Sequence, residues 1–344
     1  MRQTAVTLLD ESSECDFCID EAYGGGKSAP MDAEAKLLMA CIPGLQAAYG
    51  GAEAAAIQGD VTLNITNGTF NRVFGGNNLS GTINGAITVN IAEVGCKPII
   101  IGELYGGGNQ AGYSVYGYDS DGKPIESGTT PLYDDPQVNV KSFTSIGAIY
   151  GGGYGENAVM VGNPTVNVSV AEGIWKNYVG ESSRYSEPDY PYNASGYKGQ
   201  TLTIVDTDGT TTTTHTVDVP SHASGKIGAI GQVFGGGNAA PVKGNTNVNI
   251  GTLAKVTIRN YVEKTVTVGA SVEGLYTRSG EGTVANPYRY TAATGNAIEG
   301  TKYYEEKDVE TDVVGADIRE NVYGGGNNAE VTGNTSVNIG KKTE

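Results

Sequence analysis

The chain has 344 residues, 38% hydrophobic and only 17% charged, with 52 glycines and a formal net charge of −16. That acidity excludes a nucleic-acid binder, which needs a basic face to displace counterions from phosphates, and it disfavours anionic membranes. Glycine at roughly twice its usual frequency, without a period of three, excludes collagen and points to many tight turns.

The N-terminal stretch MRQTAVTLLDESSECD has no hydrophobic core of the kind a signal peptide carries. No segment reaches the ~18 apolar residues that a membrane span needs. The chain is therefore expected either to remain in the cytoplasm or to be a piece of a longer exported protein. The second reading is favoured because the sequence stops just after a complete repeat, TSVNIG; neighbouring coils of the parent protein would then be its first partners. Cys15 and Cys18 form a CxxC, but Cys41 and Cys96 stand alone. A zinc site would need a second pair at suitable spacing, so buried thiols or disulfides are expected, Cys18–Cys41 for example.

Residues 30 to 43, PMDAEAKLLMACIP, place Met31, Ala35, Leu38, Met39 and Ile42 on one helical face. Pro30 can open a helix and Pro43-Gly44 can end one, so a single short helix is predicted here.

An aromatic residue followed by two or three glycines recurs seven times, beginning at Tyr23, Tyr49, Phe74, Tyr105, Tyr150, Phe234 and Tyr323. Most copies are followed by a short alternating run containing V-N-I or a close variant. The Asn of that run lies 15 to 17 residues after the aromatic, with one spacing of 34 where a segment of about 113–135 is inserted. The compact copies repeat about every 25 residues. In ITVNI, Ile87, Val89 and Ile91 point one way and Thr88 and Asn90 the other. This predicts one coil of a stacked β-structure per repeat. Asn64, Asn90, Asn139, Asn167, Asn249 and Asn338 would stack as a hydrogen-bonded ladder on one face. Gly75, Gly107, Gly152, Gly236 and Gly325 would mark the corners, where positive φ is expected. The aromatics would pack on their counterparts in the next coil.

Two longer insertions follow, at about 171–226 and about 252–316. The first contains TLTIVDTDGTTTTTHTVDV, a predicted hairpin turning at Asp208-Gly209. Its aromatics, chiefly Trp175, Tyr178, Tyr190 and Tyr192, could stack on sugar rings or anchor a protein, although packing onto the coils explains them as well. Tyr276, Tyr288, Tyr290, Tyr303 and Tyr304 in the second insertion read the same way. Glu305 to Asp312 form an acidic run, expected to be a solvated strand face.

Chemistry-bearing motifs are sparse. Asp119-Ser-Asp121-Gly122 and Asp206-Thr-Asp208-Gly209 lack the further ligands of a calcium loop and read as turns. Asp134 and Asp135 are adjacent and would point to opposite faces of a strand. His215 and His222 lie off the repeated strands, and no Ser-His-acid set, P-loop or HExxH is present. No cofactor, metal or catalytic residue is assigned, and N-x-S/T triplets such as Asn67-Gly-Thr69 follow from the Asn- and Thr-rich repeat itself.

VFGGGNAAPVKGNTNVNIG (233–251) and VYGGGNNAEVTGNTSVNIG (322–340) resemble the coils of adhesin-like β-helix surface proteins of gut bacteria. The resemblance covers the coils and not the insertions. It implies an extracellular or cell-surface location and an adhesive role toward a host or microbial glycan or surface protein. It supplies no catalytic residues. The expectation is thus an all-β, right-handed parallel β-solenoid in one domain, with one short helix and looped-out insertions, acting as a non-enzymatic structural or adhesin-like module. A carbohydrate-binding module using the insertion aromatics is the alternative, and a polysaccharide-cleaving β-helix enzyme comes third.

Overall fold

The computed structural model describes residues 4–9, 19–40, 44–93, 98–126, 130–171, 192–193, 196–208, 211–223, 228–281 and 289–340. Among them every regular element is a strand, and no helix is long and apolar enough to cross a membrane.

The chain passes alternately through two eight-stranded sheets. The first runs Thr4–Leu9, Ala35–Ala40, Val61–Ile65, Ile87–Ala92, Gln137–Ser142, Thr165–Val168, Thr246–Ile250, Thr335–Ile339. The second runs Glu21–Tyr23, Gly44–Tyr49, Gly68–Phe74, Ile99–Tyr105, Ser145–Tyr150 and Ala229–Phe234, which then pairs with both Asp317–Ile318 and Val322–Tyr323. All pairing within these sheets is parallel, and the V-N-I runs align residue for residue: Asn64 with Asn90, Asn139 with Asn90 and Asn167, Asn249 with Asn338. A third, narrow parallel sheet joins Tyr113–Ser114, Met160–Val161 and Val242–Lys243. This arrangement is compatible with a β-solenoid.

Burial explains why these residues adopt it. Val61, Leu63, Ile65, Ile87, Val89 and Ile91 point inward and are fully buried, while Thr62, Asn64, Thr88 and Asn90 face out. In the second sheet the inward residues come three apart: Phe70 and Val73, Ile101 and Leu104, Ile146 and Ile149. The pairing skips Asn71, Gly102, Gly147 and Gly231 between them, so the pleat is broken once per strand. The break turns Arg72 and Phe74, Glu103 and Tyr105, Ala148 and Tyr150 to the outer face. There Tyr23, Tyr49, Phe74, Tyr105, Tyr150, Phe234 and Tyr323 form one column, with successive centroids 4.7 to 5.1 Å apart and planes within 14°. That spacing is the inter-strand distance, so strand stacking sets the ring geometry.

Two expectations are corrected. The segment predicted as a helix is not one. Ala35–Ala40 is a strand in which Ala35, Leu37 and Met39 are buried and pair with Val61, Leu63 and Ile65. The run KLLMA fits either period; the apolar edge of the next winding selects the strand over the local helical preference. Residues 41–43 and all four cysteines lie outside the described residues.

The corner glycines do not adopt the left-handed conformation. Gly75, Gly107, Gly152, Gly236 and Gly325 all lie outside that region. At Gly75, Gly107, Gly152 and Gly236 glycine is needed because windings approach too closely for a side chain, whereas a Cβ on Gly325 would meet nothing within 4 Å. A Cβ on Gly152 would sit 2.7 Å from the amide nitrogen of Gly237, and one on Gly236 would sit 2.8 Å from that of Gly326. Gly107, Gly152 and Gly236 also continue the inter-winding hydrogen bonds through the bend.

Candidate functional site

The inserted hairpin brings the chemistry together. Gln200–Asp208 and Thr211–Val219 pair antiparallel, with residues 209–210 outside the described residues. One face of the hairpin lies on the outer face of the second sheet. Leu202 and Val219 pack with Ile100 and Tyr197. The bare backbones of Gly102 and Gly147 leave room for it: a Cβ on Gly147 would sit 2.6 Å from Val217 Cγ1, and one on Gly102 3.3 Å from Leu202 Cδ1. Asn71 Nδ2 donates to the carbonyl of Thr203 at 2.7 Å, and Ser145 Oγ to that of Pro220 at 2.7 Å.

Where this face meets the column two residues before each aromatic, six polar side chains converge. Arg72 Nη1 lies 2.5 Å from Asp206 Oδ1, with 7% and 20% of the two side chains exposed. Tyr154 Oη donates to Asp206 Oδ2 at 3.0 Å. His215 stands between two carboxylates, Nε2 3.4 Å from Glu103 Oε1 and Nδ1 3.5 Å from Asp206 Oδ2. Tyr105 Oη donates to Glu103 Oε2 at 3.0 Å. The Arg72 guanidinium also lies 5.4 Å from the Phe74 centroid and 5.2 Å from that of Tyr154.

Burial dominates the electrostatics. It raises the proton affinity of Glu103 above that of an ordinary carboxylate, although His215, Tyr105 and Arg72 oppose it. Burial works against the charge on Arg72, yet Asp206 and neighbouring tyrosines hold it above its ordinary value. Burial and then Asp206 push the Tyr154 hydroxyl up to about 12. Every carboxylate here already has a protein partner. The two acids face opposite nitrogens of one imidazole, which is not a metal-binding arrangement, and among the described residues no cluster of His, Cys, Asp and Glu could hold an ion.

Comparison with known proteins finds no matching family model, no matching curated protein and no matching solved structure.

The Asn residues of the V-N-I runs form a continuous ladder. Asn90 donates through Nδ2 to Asn64 Oδ1 at 3.0 Å, Asn139 to Asn90 at 3.2 Å, and Asn167 to Asn139 at 2.9 Å. Asn249 donates to Asn167 at 3.0 Å and Asn338 to Asn249 at 2.9 Å. A second column, four residues after each aromatic, was not anticipated. Asn78 donates to Tyr23 Oη at 2.7 Å, Asn109 to Asn78 at 2.8 Å, Asn238 to Tyr105 Oη at 3.2 Å, and Asn327 to Asn238 at 3.1 Å.

Trp175, Tyr178 and Tyr190 lie outside the described residues. Tyr192 is on the strand Tyr192–Asn193, whose backbone pairs with Gly196–Tyr197. In the second insertion Tyr261 stacks on Tyr290 at 4.0 Å, while Tyr303 and Tyr304 are buried. The acidic run lies on Tyr303–Gly315, where Glu306 and Asp308 pair with Arg259 and Glu305 with Lys264. Asp135 accepts from Asn163 of the next winding, and Asp119 Oδ1 caps its own turn by accepting from the amides of Asp121 and Lys123. Asn67 is buried.

Arg72, Glu103, Asp206 and His215 were not singled out as a site. A signal existed: RVF and ELY put a charge two residues before the aromatic, and LTIVD and HTVDV alternate with Asp206 and His215 on the apolar face.

Proposed function

We propose that this chain is a non-enzymatic structural and adhesive surface module, built as a right-handed parallel β-solenoid whose insertions emerge between windings. The right hand is the one that β-crossover-β connections adopt almost without exception. The observation that carries the reading is the unbroken registry of the Asn and aromatic columns through successive windings. Such registry makes a stiff scaffold, and the buried cluster of Arg72, Glu103, Asp206 and His215 is consumed in holding an insertion to it. The placement at a cell surface, with a glycan or surface protein as partner, rests on the resemblance of the GGGN coils to adhesin-like repeats.

Attachment provides the test. Beads coated with the chain should be retained on mucin-coated or polysaccharide-coated surfaces more than uncoated beads. Soluble polysaccharides incubated with the chain should release no reducing ends. No retention, or release of reducing ends, would contradict the reading.

A further inference from the structure

We propose that the hairpin 200–219 is a proton-dependent cover over the second sheet, latched by one proton held between His215 and Glu103.

The geometry requires that proton. A neutral imidazole donates from one ring nitrogen and presents a lone pair at the other. Here both nitrogens face carboxylate oxygens, Glu103 at 3.4 Å and Asp206 at 3.5 Å. With neutral His215 and both acids ionised, a lone pair would confront a carboxylate. The closed arrangement is satisfied when the ring carries both protons, or when the Glu103 carboxyl carries one and donates it to the ring. Burial of Glu103, 6% exposed, favours retention of that proton. Arg72 is matched by Asp206. The other titratable groups near the ring are the hydroxyls of Tyr105, which donates to Glu103, and Tyr154, which donates to Asp206. Tyr49 and Tyr150 of the same column are neutral as well, raised by their burial. Among the described residues the extra negative charge therefore has no second cation to meet it.

Lifting the hairpin would return Glu103 to water and remove the burial that favours its protonated form. The closed state binds more protons than the open one, so closure is favoured at acid pH and weakens as pH rises. Opening would uncover Arg72, Glu103 and part of the aromatic column, so the device controls which face the scaffold presents.

Amide hydrogen exchange, corrected for intrinsic rates, tests this. Protection in 200–208 and 211–219 is measured in the wild type and in Glu103→Gln at pH about 5.5 and about 8, and read as the ratio of wild type to variant. The ratio should fall by about tenfold for each pH unit over which the proton is lost. In Glu103→Gln the amide can donate to the neutral ring, so the hairpin should stay closed with a flat profile. A pH-independent ratio, whether from a flat wild type or from the same fall in Glu103→Gln, would overturn the proposal. Whole-molecule pH effects cancel in the ratio, and the outcome is independent of whether the module adheres.

Discussion

Glu93 shows how a single buried charge sets a pH limit on stability. Its Oε2 accepts from the amide of Ile99 at 2.7 Å and from Thr144 Oγ1 at 2.8 Å. Burial outweighs both and raises the carboxyl to about 7. The folded state thus holds this proton more tightly than the unfolded chain. Its contribution is present in full below about pH 4.5 and is lost as pH rises through about 7. Glu93→Gln keeps the acceptor and removes the charge. Its melting temperature should match the wild type near pH 4 and exceed it above pH about 7.5, by the equivalent of about 3 kcal/mol. Equal melting temperatures at alkaline pH would refute that origin. The Asn ladder yields a second prediction. Asn139 donates to Asn90 and accepts from Asn167, whereas Asn64 only accepts within the ladder. Asn139→Asp should cost about 1–3 kcal/mol through a lost donor facing an oxygen. Asn64→Asp should be close to neutral, and urea titrations of the two variants make the comparison.

Among the elements, the hairpin and the coils should separate energetically. The hairpin is held by the satellite cluster of Leu202, Val219, Ile100 and Tyr197 and by the polar latch, apart from the main core. Leu202→Ala should loosen 200–219 by about 2 kcal/mol in hydrogen exchange and leave 61–65 and 87–92 unchanged. Equal loosening of the coils would show that the hairpin is part of the core. This scale also shows what the sequence could reveal. The V-N-I strands and the hairpin were legible because their alternation is strict and both faces are distinct. Ala35–Ala40 was misread because KLLMA suits two periods, and only the neighbouring Val61–Ile65 decides between them. The second-sheet strands hide their pattern because the pleat breaks at Gly102 and Gly147. The column four residues after the aromatic was invisible because its members change from Asn109 to Tyr154 to Asn238. The polar cluster was hidden because Arg72 and Glu103 meet Asp206 and His215 only after more than a hundred residues of intervening chain.

For the whole molecule, stability rests on windings that approach at backbone distance. The glycines matter for that clearance rather than for positive φ. Gly152→Val in mid-stack should therefore cost several kcal/mol, whereas Gly325→Val, where nothing lies within 4 Å of an added Cβ, should cost far less. Thermal melts of the two variants give the contrast, and equal losses would point to a conformational requirement instead. The most direct test of the architecture is the side-chain amide NOE pattern of the Asn residues in a deuterated sample. Parallel in-register stacking requires an unbroken chain of contacts from Asn64 through Asn90, Asn139, Asn167 and Asn249 to Asn338. Cross-strand Hα–Hα contacts between neighbouring V-N-I runs in a protonated sample, which mark antiparallel pairing, would contradict it.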